Sequence, residues 1–275
     1  IDLSVGAVLA LSAVVATSFA QTAEATNLMY PGVDVHVFVA IGAGLAVGAI
    51  CGAINGGLIA FTGIAPFIAT LGMMTAARGV ALIYTGGRPV SRLKEDYTYF
   101  GRAEPFSVPI FDINEQAIVM VGVGVPILIL IAVALVTHYF LTRRKTGKYV
   151  YAIGSNEEAV QLAGINIKIV KVLIYSFSGL LAAIGGIILS GRISSGNPTL
   201  GTMIELDAIA AAVIGGASLA GGIGTVWGAI VGAMIIGSLT TGLQLLNVSP
   251  FVQMVVMGVI IVSAAIIDQQ KRRRR

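Results

Sequence analysis

The sequence predicts an all-α polytopic membrane protein, a helical bundle with an inverted-topology internal repeat, and three observations predict it. The 275 residues are 56% apolar and 11% charged, where a soluble chain carries about 25% charged residues. The charges are crowded between apolar runs of about 18 residues or more, which is membrane-span length. Finally, the chain states one pattern twice, over about 1–84 and again over about 205–267.

Each copy opens on an acidic residue followed by small and apolar ones: IDLSVGAVLALSAVVA from Ile1 and ELDAIAAAVIGGASLAGG from Glu205. Each continues as a glycine-studded apolar helix, breaks briefly and resumes at Pro-Phe. The first break reads GLIAFTGIAPFI (Gly57 to Ile68) and the second GLQLLNVSPFV (Gly242 to Val252). No polar linker divides the chain, so 1–275 is one transmembrane domain. Duplication inside an apolar chain marks a membrane transporter, with the pathway where the copies meet.

Eight apolar elements follow in order. The first, 3–20, comes after Asp2. The second, 36–60, carries Gly44, Gly48, Gly52 and Gly56 at four-residue steps, a side-chain-free ridge on which another helix can pack closely. The third, 66–84, starts on Pro66-Phe67 and contains Arg78; the fourth is 116–140 and the fifth 170–191. The sixth, 206–217, is too short to cross alone at ~1.5 Å per residue. It reads as a tilted or broken helix buried in protein, with the Gly-rich 215–224 as its non-helical end. The seventh, 224–246, repeats the small-residue ridge with Gly228, Ala229, Gly232, Ala233 and Gly237; the eighth is 251–267.

Lysine and arginine orient the spans. Six basic residues lie in 141–171 and five more in 271–275, so both segments, and the C-terminus, read as cytoplasmic. The 21–35 loop has no basic residue and the 85–115 loop has four against five acidic ones, so both read as external. The copies begin five elements apart, which gives them opposite orientations. The chain also starts inside an apolar element with no signal-peptide n-region, and the expectation is that upstream sequence precedes Ile1.

Several chemistries are excluded. A single cysteine, Cys51, rules out a disulfide framework or a cysteine metal cluster. His36 and His138 lie near predicted membrane edges without metal-motif or triad spacing. Gly147-Lys148 is followed by Tyr149, so no phosphate-binding loop forms and this chain is not expected to bind ATP. A pI near 9.3 is explained by orientation rather than by nucleic acid. The functional candidates are intramembrane polar groups, since a charge at the bilayer centre costs ~2.5–3.5 kcal/mol on insertion scales and normally faces protein or water. Asn55, Phe67, Thr70, Asn197 and Glu205 are candidates to line the substrate pathway, with Asp2 and Asp207 as a supporting shell and with Arg78 and Thr199 nearby in pattern. Asp2, Glu205 and Asp207 can equally cap helix N-termini. The set is balanced in charge, which suits an uncharged, hydroxyl-rich solute better than an ion.

The cytoplasmic segment reads TRRKTGKYVYAIGSNEEAVQLAGINIKIVKV. Ser155 can N-cap a short helix over 155–166, with Glu157 and Glu158 in its first turn. Gly164 can end it, and Ile165-Asn166 turns into the next span. Such a knob is either an ordinary loop or a docking helix for a motor subunit.

TGKYVYAIGSNEEAVQLAGINI resembles the cytoplasmic loop of monosaccharide ABC-importer permeases, the inner-membrane components of binding-protein-dependent transport systems. The motif Gly-x-Asn-x-x-Ala-Ala-x-x-x-Gly-Ile is matched by Gly154, Asn156, Ala159, Gly164 and Ile165, with Val160 in place of an alanine. IDLSVG, PFIATLG (Pro66 to Gly72) and ELDAIAAAVIGGASLAGGIGTVWG also resemble this family, most nearly its ribose and galactoside members. The resemblance implies that 154–165, with Glu157 and Glu158, couples to an ATPase. It implies a tandem nucleotide-binding partner that holds ATP and Mg, an extracytoplasmic sugar-binding protein, a homodimer, the bacterial inner membrane, and alternating access. Members have ten membrane helices, which implies two upstream of the eight elements here. Permeases for branched-chain amino acids, nucleosides or a furanosyl signal share the architecture. An ion-coupled secondary transporter or channel would need no docking helix.

Overall fold

The structure is a computed structural model describing residues 1–25, 27–112 and 117–273. Residues 113–116 of the predicted external loop and fourth span, and Arg274 and Arg275 of the basic tail, lie outside these. The elements run α1 (Val5–Phe19), α2 (Val37–Thr62), α3 (Pro66–Thr85), α4 (Glu95–Arg102), β1 (Phe106–Asp112), β2 (Ala117–Val123), α5 (Val125–Arg143), α6 (Lys145–Ser155), α7 (Glu157–Leu162), α8 (Ile167–Ile193), α9 (Ile204–Ile214), α10 (Val226–Leu245) and α11 (Pro250–Arg273). Six of the described helices (α2, α3, α5, α8, α10 and α11) are long and apolar enough to cross a membrane. The chain is a multi-pass, all-α membrane protein with one small hairpin.

The core is a trio of α1, α2 and α8. Glycine spacing builds it. A Cβ on Gly48 would overlap the carbonyl oxygen of Gly179, and one on Gly52 that of Tyr175; a Cβ on Gly56 would lie 2.6 Å from the Val172 Cα. Gly44 meets Ala16 and Ser12 of α1 in the same way. The ridge read from the sequence therefore packs inside one chain. Because Gly44 sits beside Ile187 and Gly56 beside Val172, α2 and α8 are antiparallel. Such close backbone approach replaces the hydrophobic effect, which drives little association between helices in lipid. α1, with no exposed residue along its length, runs beside both and also packs on α3. Ala7, Val8, Leu11 and Val14 of α1 meet Cys51, Ala77 and Ala81 in one buried cluster.

The fourth predicted span, 116–140, is corrected. Residues 117–123 form β2, pairing antiparallel with β1 from Phe106↔Val123 to Asp112↔Ala117, and the span is α5, ending at Arg143. The stretch AIVMVGV is β-branched, and Gly124 with Pro126 restarts the chain as a helix. The predicted external loop also contains α4, which lies against the C-terminal end of α8. There Gly101 meets the Gly191 and Arg192 backbone, and the Tyr97 hydroxyl shares a 2.8 Å hydrogen bond with the Ser190 hydroxyl.

The short sixth element has a structural explanation. Between α8 and α9 the chain is irregular over 194–203. Gly196 lies against Thr17 and Gly201 against Gly6. The segment thus travels alongside α1 for 11 helical residues, about 16 Å, before α9 takes over. Segment and helix follow one another directly, with α9 held to α10 where Gly232 meets Ala211 and Gly215 meets Gly228.

The two helix breaks match. Gly63 (φ 74°) stands three residues before Pro66, and Asn247 (φ 56°) three residues before Pro250. Each left-handed residue ends a helix, and each proline opens the next at the position where its missing N–H costs nothing.

Candidate functional site

The polar groups proposed from the sequence fall into separate places around α1. At its N-terminus, Asp2 Oδ1 accepts from the Ser4 amide at 2.9 Å and the Ser4 hydroxyl at 2.6 Å. Asp2 Oδ2 accepts from the Ser178 hydroxyl of α8 at 3.0 Å. Asn55 of α2, wholly buried, donates from Nδ2 to Ser4 Oγ at 2.9 Å. One chain of hydrogen bonds therefore ties the three core helices together. Asn55 Oδ1 finds no partner among the described residues, an orphan at a depth where unpaired polar atoms are costly.

The second place is the irregular segment. Asn197 Oδ1 accepts from the Thr199 amide at 3.0 Å and its hydroxyl at 2.8 Å, holding a turn. Arg78 reaches across from α3 and donates to the carbonyl oxygens of Pro198 at 2.9 Å and Leu200 at 2.7 Å. Non-helical backbone at membrane depth must be satisfied by protein or water, and here the guanidinium serves these two carbonyls while the Val90 backbone pairs with that of Gly196. Glu205, 9% exposed, follows in the first turn of α9; it lies so close to Gly6 that a Cβ there would overlap its carboxylate, and its Oε2 has no partner among the described residues. Asp207 is in the same turn, half-buried.

The capping expectation is corrected in detail. Met203, in the left-handed region at φ 73°, occupies the N-cap of α9, so Glu205 and Asp207 sit inside the first turn. Ser4 occupies the N-cap of α1, with Asp2 holding it from outside. Thr70 is buried but donates to the Pro66 carbonyl oxygen of its own helix at 2.9 Å, while Phe67 is exposed. These two are not brought into either polar group by any hydrogen bond described. Ser4 and Ser178 were missed; as serines in apolar elements they carried the signal that singled out Asn55. His36 N-caps α2, and His138 lies beside Trp227. Among the described residues no three potential ligands gather as a metal site. A groove of about 520 Å³ between α5, α8 and α10 is apolar, lined by residues such as Leu130, Leu181 and Ile230, and offers little to a hydroxyl-rich solute.

The motif segment read as cytoplasmic is two helices. Ser155 is the last residue of α6, its hydroxyl turned back to the Tyr151 carbonyl at 3.0 Å, so it is not the N-cap of the next helix. Asn156 is: its Oδ1 accepts from the Ala159 amide at 3.0 Å. The reason is that 145–155, read from the sequence as a basic flank, is itself a helix, and its last turn takes up Ser155. The predicted helix over 155–166 is α7 alone, closed by Gly164 at φ 76° and a turn through half-buried Ile165. Glu157 pairs with Lys171 at 2.6 Å, while Glu158, Ala159 and Leu162 face outward, Leu162 at 90% exposure. Gly154 faces the other way: its backbone lies against Gly221 and Gly222.

The family model described as branched-chain amino acid transport system / permease component matches residues 1–265. The ribose import permease protein RbsC of Escherichia coli (strain K12) is 42% identical over 276 residues, spanning 99% of this chain and 78% of that protein. The galactose/methyl galactoside import permease protein MglC of Haemophilus influenzae is 37% identical, over 100% of this chain and 80% of the relative. The D-allose transport system permease protein AlsC of Escherichia coli (strain K12) is 35% identical, over 98% and 75% respectively. No solved structure matches the chain. Together with the six apolar spans, the match makes this chain a member of the branched-chain amino acid transport system / permease component family.

Proposed function

We propose that this chain is the membrane-spanning permease of an ATP-driven importer, moving a monosaccharide such as ribose or galactose by alternating access. The observation that carries this is similarity, over essentially the whole chain, to permeases named for ribose, galactose and allose. The α7 knob supports the ATP-driven part, because a capped helix with outward Glu158 and Leu162 offers a compact surface to a motor subunit. ATP and Mg belong to that subunit; this chain has no phosphate-binding loop. An extracytoplasmic sugar-binding protein delivers solute, a second copy of the permease completes the pathway, and the protein sits in the bacterial inner membrane with its C-terminus inside.

The inverted repeat is supported by the matched left-handed residues before Pro66 and Pro250, and by directions. α1 runs from Gly6 toward Thr17, whereas the segment that leads into the second copy passes Thr17 first and Gly6 second before α9 begins. The pathway runs where the copies approach, bordered by Asn55, Phe67, Thr70, Asn197 and Glu205 with Asp2 and Asp207 behind. A neutral sugar needs weak, distributed hydrogen bonds, since tight holding prevents release.

The test is reconstitution of the chain with the tandem ATPase and secreted binding protein encoded beside it, followed by uptake of labelled ribose, galactose, allose and leucine. Uptake of one of the sugars that requires ATP is the expected result. Leucine uptake instead reassigns the solute; sugar uptake driven by an ion gradient without any ATPase overturns the reading.

A further inference from the structure

The turn 215–224 connects α9 to α10, and it is gripped from two sides. On one side is α6. The Tyr151 hydroxyl donates to the Gly224 carbonyl oxygen at 3.0 Å. Gly154 meets this turn backbone to backbone: a Cβ on Gly154 would overlap the Gly222 amide nitrogen, and one on Gly221 would lie 2.8 Å from the Gly154 carbonyl oxygen. Gly221 and Gly222 hold φ values of 94° and 75°, which L side chains rarely adopt, so the turn is shaped to let α6 in. On the other side Asp268 of α11 accepts at 3.3 Å from the Ser218 hydroxyl and the Leu219 amide.

Beyond the turn the connection is equally short of slack. Gly215 packs on Gly228 and Gly232 on the Ala211 carbonyl oxygen, so α9 and α10 meet without intervening side chains. α9 continues from 194–203, the segment braced by Arg78. In the opposite direction α6 ends at Ser155, and Asn156 immediately caps α7. Backbone contacts transmit displacement better than long side chains, which absorb it by changing rotamer, because packed elements shift as units.

We infer that Tyr151 and Gly154 are positioning residues that pass movement of α7 to the 215–224 turn, and through it to α9 and the irregular segment. The inference rests on the reading that α7 receives an ATPase. It departs from the motif-based expectation for Gly154, which here contacts its own chain. The element reached through this contact is α9 with its irregular lead-in 194–203; the core trio is reached from α7 by a different contact, the Glu157–Lys171 pair.

The experiment uses the full permease–ATPase assembly in proteoliposomes, with Gly154→Ala and Tyr151→Phe. Three quantities are read: co-purification of the ATPase, ATP hydrolysis, and solute taken up per ATP hydrolysed. The unaltered chain tests the prior reading, because failure to bind an ATPase or to import solute overturns that reading and, with it, the inference that rests on it, before any variant is compared. With the unaltered assembly active, Gly154→Ala should keep the ATPase bound and hydrolysing while uptake per ATP falls at least about fivefold, the low end of ordinary coupling between sites. Tyr151→Phe, which removes one oxygen and keeps the ring, should lower it in the same direction. Loss of ATPase co-purification in Gly154→Ala means the residue faces the ATPase and overturns the inference. Unchanged uptake per ATP overturns it as well. Where Gly154→Ala does not reach the membrane, Tyr151→Phe decides by the same two readouts.

Discussion

Arg78 donates to the carbonyl oxygen of Leu200 at 2.7 Å, joining residues 122 positions apart in the chain. A second bond from the same nitrogen, to Pro198, makes the guanidinium a bracket for backbone that no helix satisfies. Hydrogen bonds to a charged group contribute about 1.5–3 kcal/mol each, and orphaned carbonyls add a desolvation cost. Arg78→Leu should therefore lower the unfolding free energy by about 2–4 kcal/mol, measured by thermal or denaturant unfolding in detergent. Arg78→Lys should retain part of it. A variant as stable as the parent removes Arg78 from the bracket role.

Gly52 and Gly57 give a paired test of the packing ridge. A Cβ on Gly52 would overlap the Tyr175 carbonyl, while one on Gly57 meets nothing within 4 Å. Gly52→Ala should destabilise by about 1–3 kcal/mol through forced separation of α2 and α8. Gly57→Ala should be neutral or stabilise by about 0.5–1 kcal/mol, because alanine loses less backbone entropy in a helix. Equal melting shifts for the two would show that the helix pair is not as close as described.

Tyr97 makes the stability pH-dependent. It lies outside the membrane spans, is fully buried, and burial outweighs the Ser190 hydrogen bond to hold its phenol well above the ordinary range. In the unfolded chain the phenol loses its proton at about pH 10; in the folded chain it keeps it. The folded state then binds more protons, so stability is complete below about pH 10 and declines as pH rises beyond it. Tyr97→Phe should flatten that decline in unfolding curves between neutral and strongly alkaline pH. An unchanged alkaline limb counts against the buried phenol as its cause.

Glu158 lies on the outward face of α7, while Glu157 is engaged with Lys171. Glu158→Lys should abolish ATP-dependent uptake yet leave membrane insertion intact, since nothing in the fold leans on it. Uptake and ATPase co-purification both equal to the parent would remove this face from the docking surface.

Asn55 is wholly buried and tied to Ser4. Asn55→Ala should slow transport without preventing binding-protein docking. Single cysteines at 55, 67, 70, 197 and 205, challenged with a small aqueous thiol reagent in each nucleotide state, check the pathway. Labelling of the buried positions in at least one state is expected. If all five stay unlabelled throughout, these residues belong to structure alone.

The sequence by itself determined the class of the protein, because the bilayer imposes length and composition rules that hold whatever the neighbours are. Runs of apolar residues placed α2, α3, α8 and α10 within about three residues at each end, and α11 at its start, since its polar last turns continue the helix to Arg273. The glycine steps at Gly44, Gly48, Gly52 and Gly56 announced a close contact, and 155–166 announced the knob, with its cap read one residue early at Ser155. Partners were another matter. Four-residue spacing states that a helix will approach, not that it is α8. AIVMVGV became β2 because β1 was there to pair with it, and its hydropathy alone matched a span. The shortness of the sixth element was legible, but its completion by 194–203 was not: irregular backbone has no periodicity, and its hydrogen bonds come from Arg78 of another helix, from the Val90 backbone and from its own turn at Asn197. Gly154 likewise carried one meaning as a motif position and another once Gly222 was found against it. Which surfaces meet is settled by side chains far apart in the chain, and only the tertiary structure brings those together.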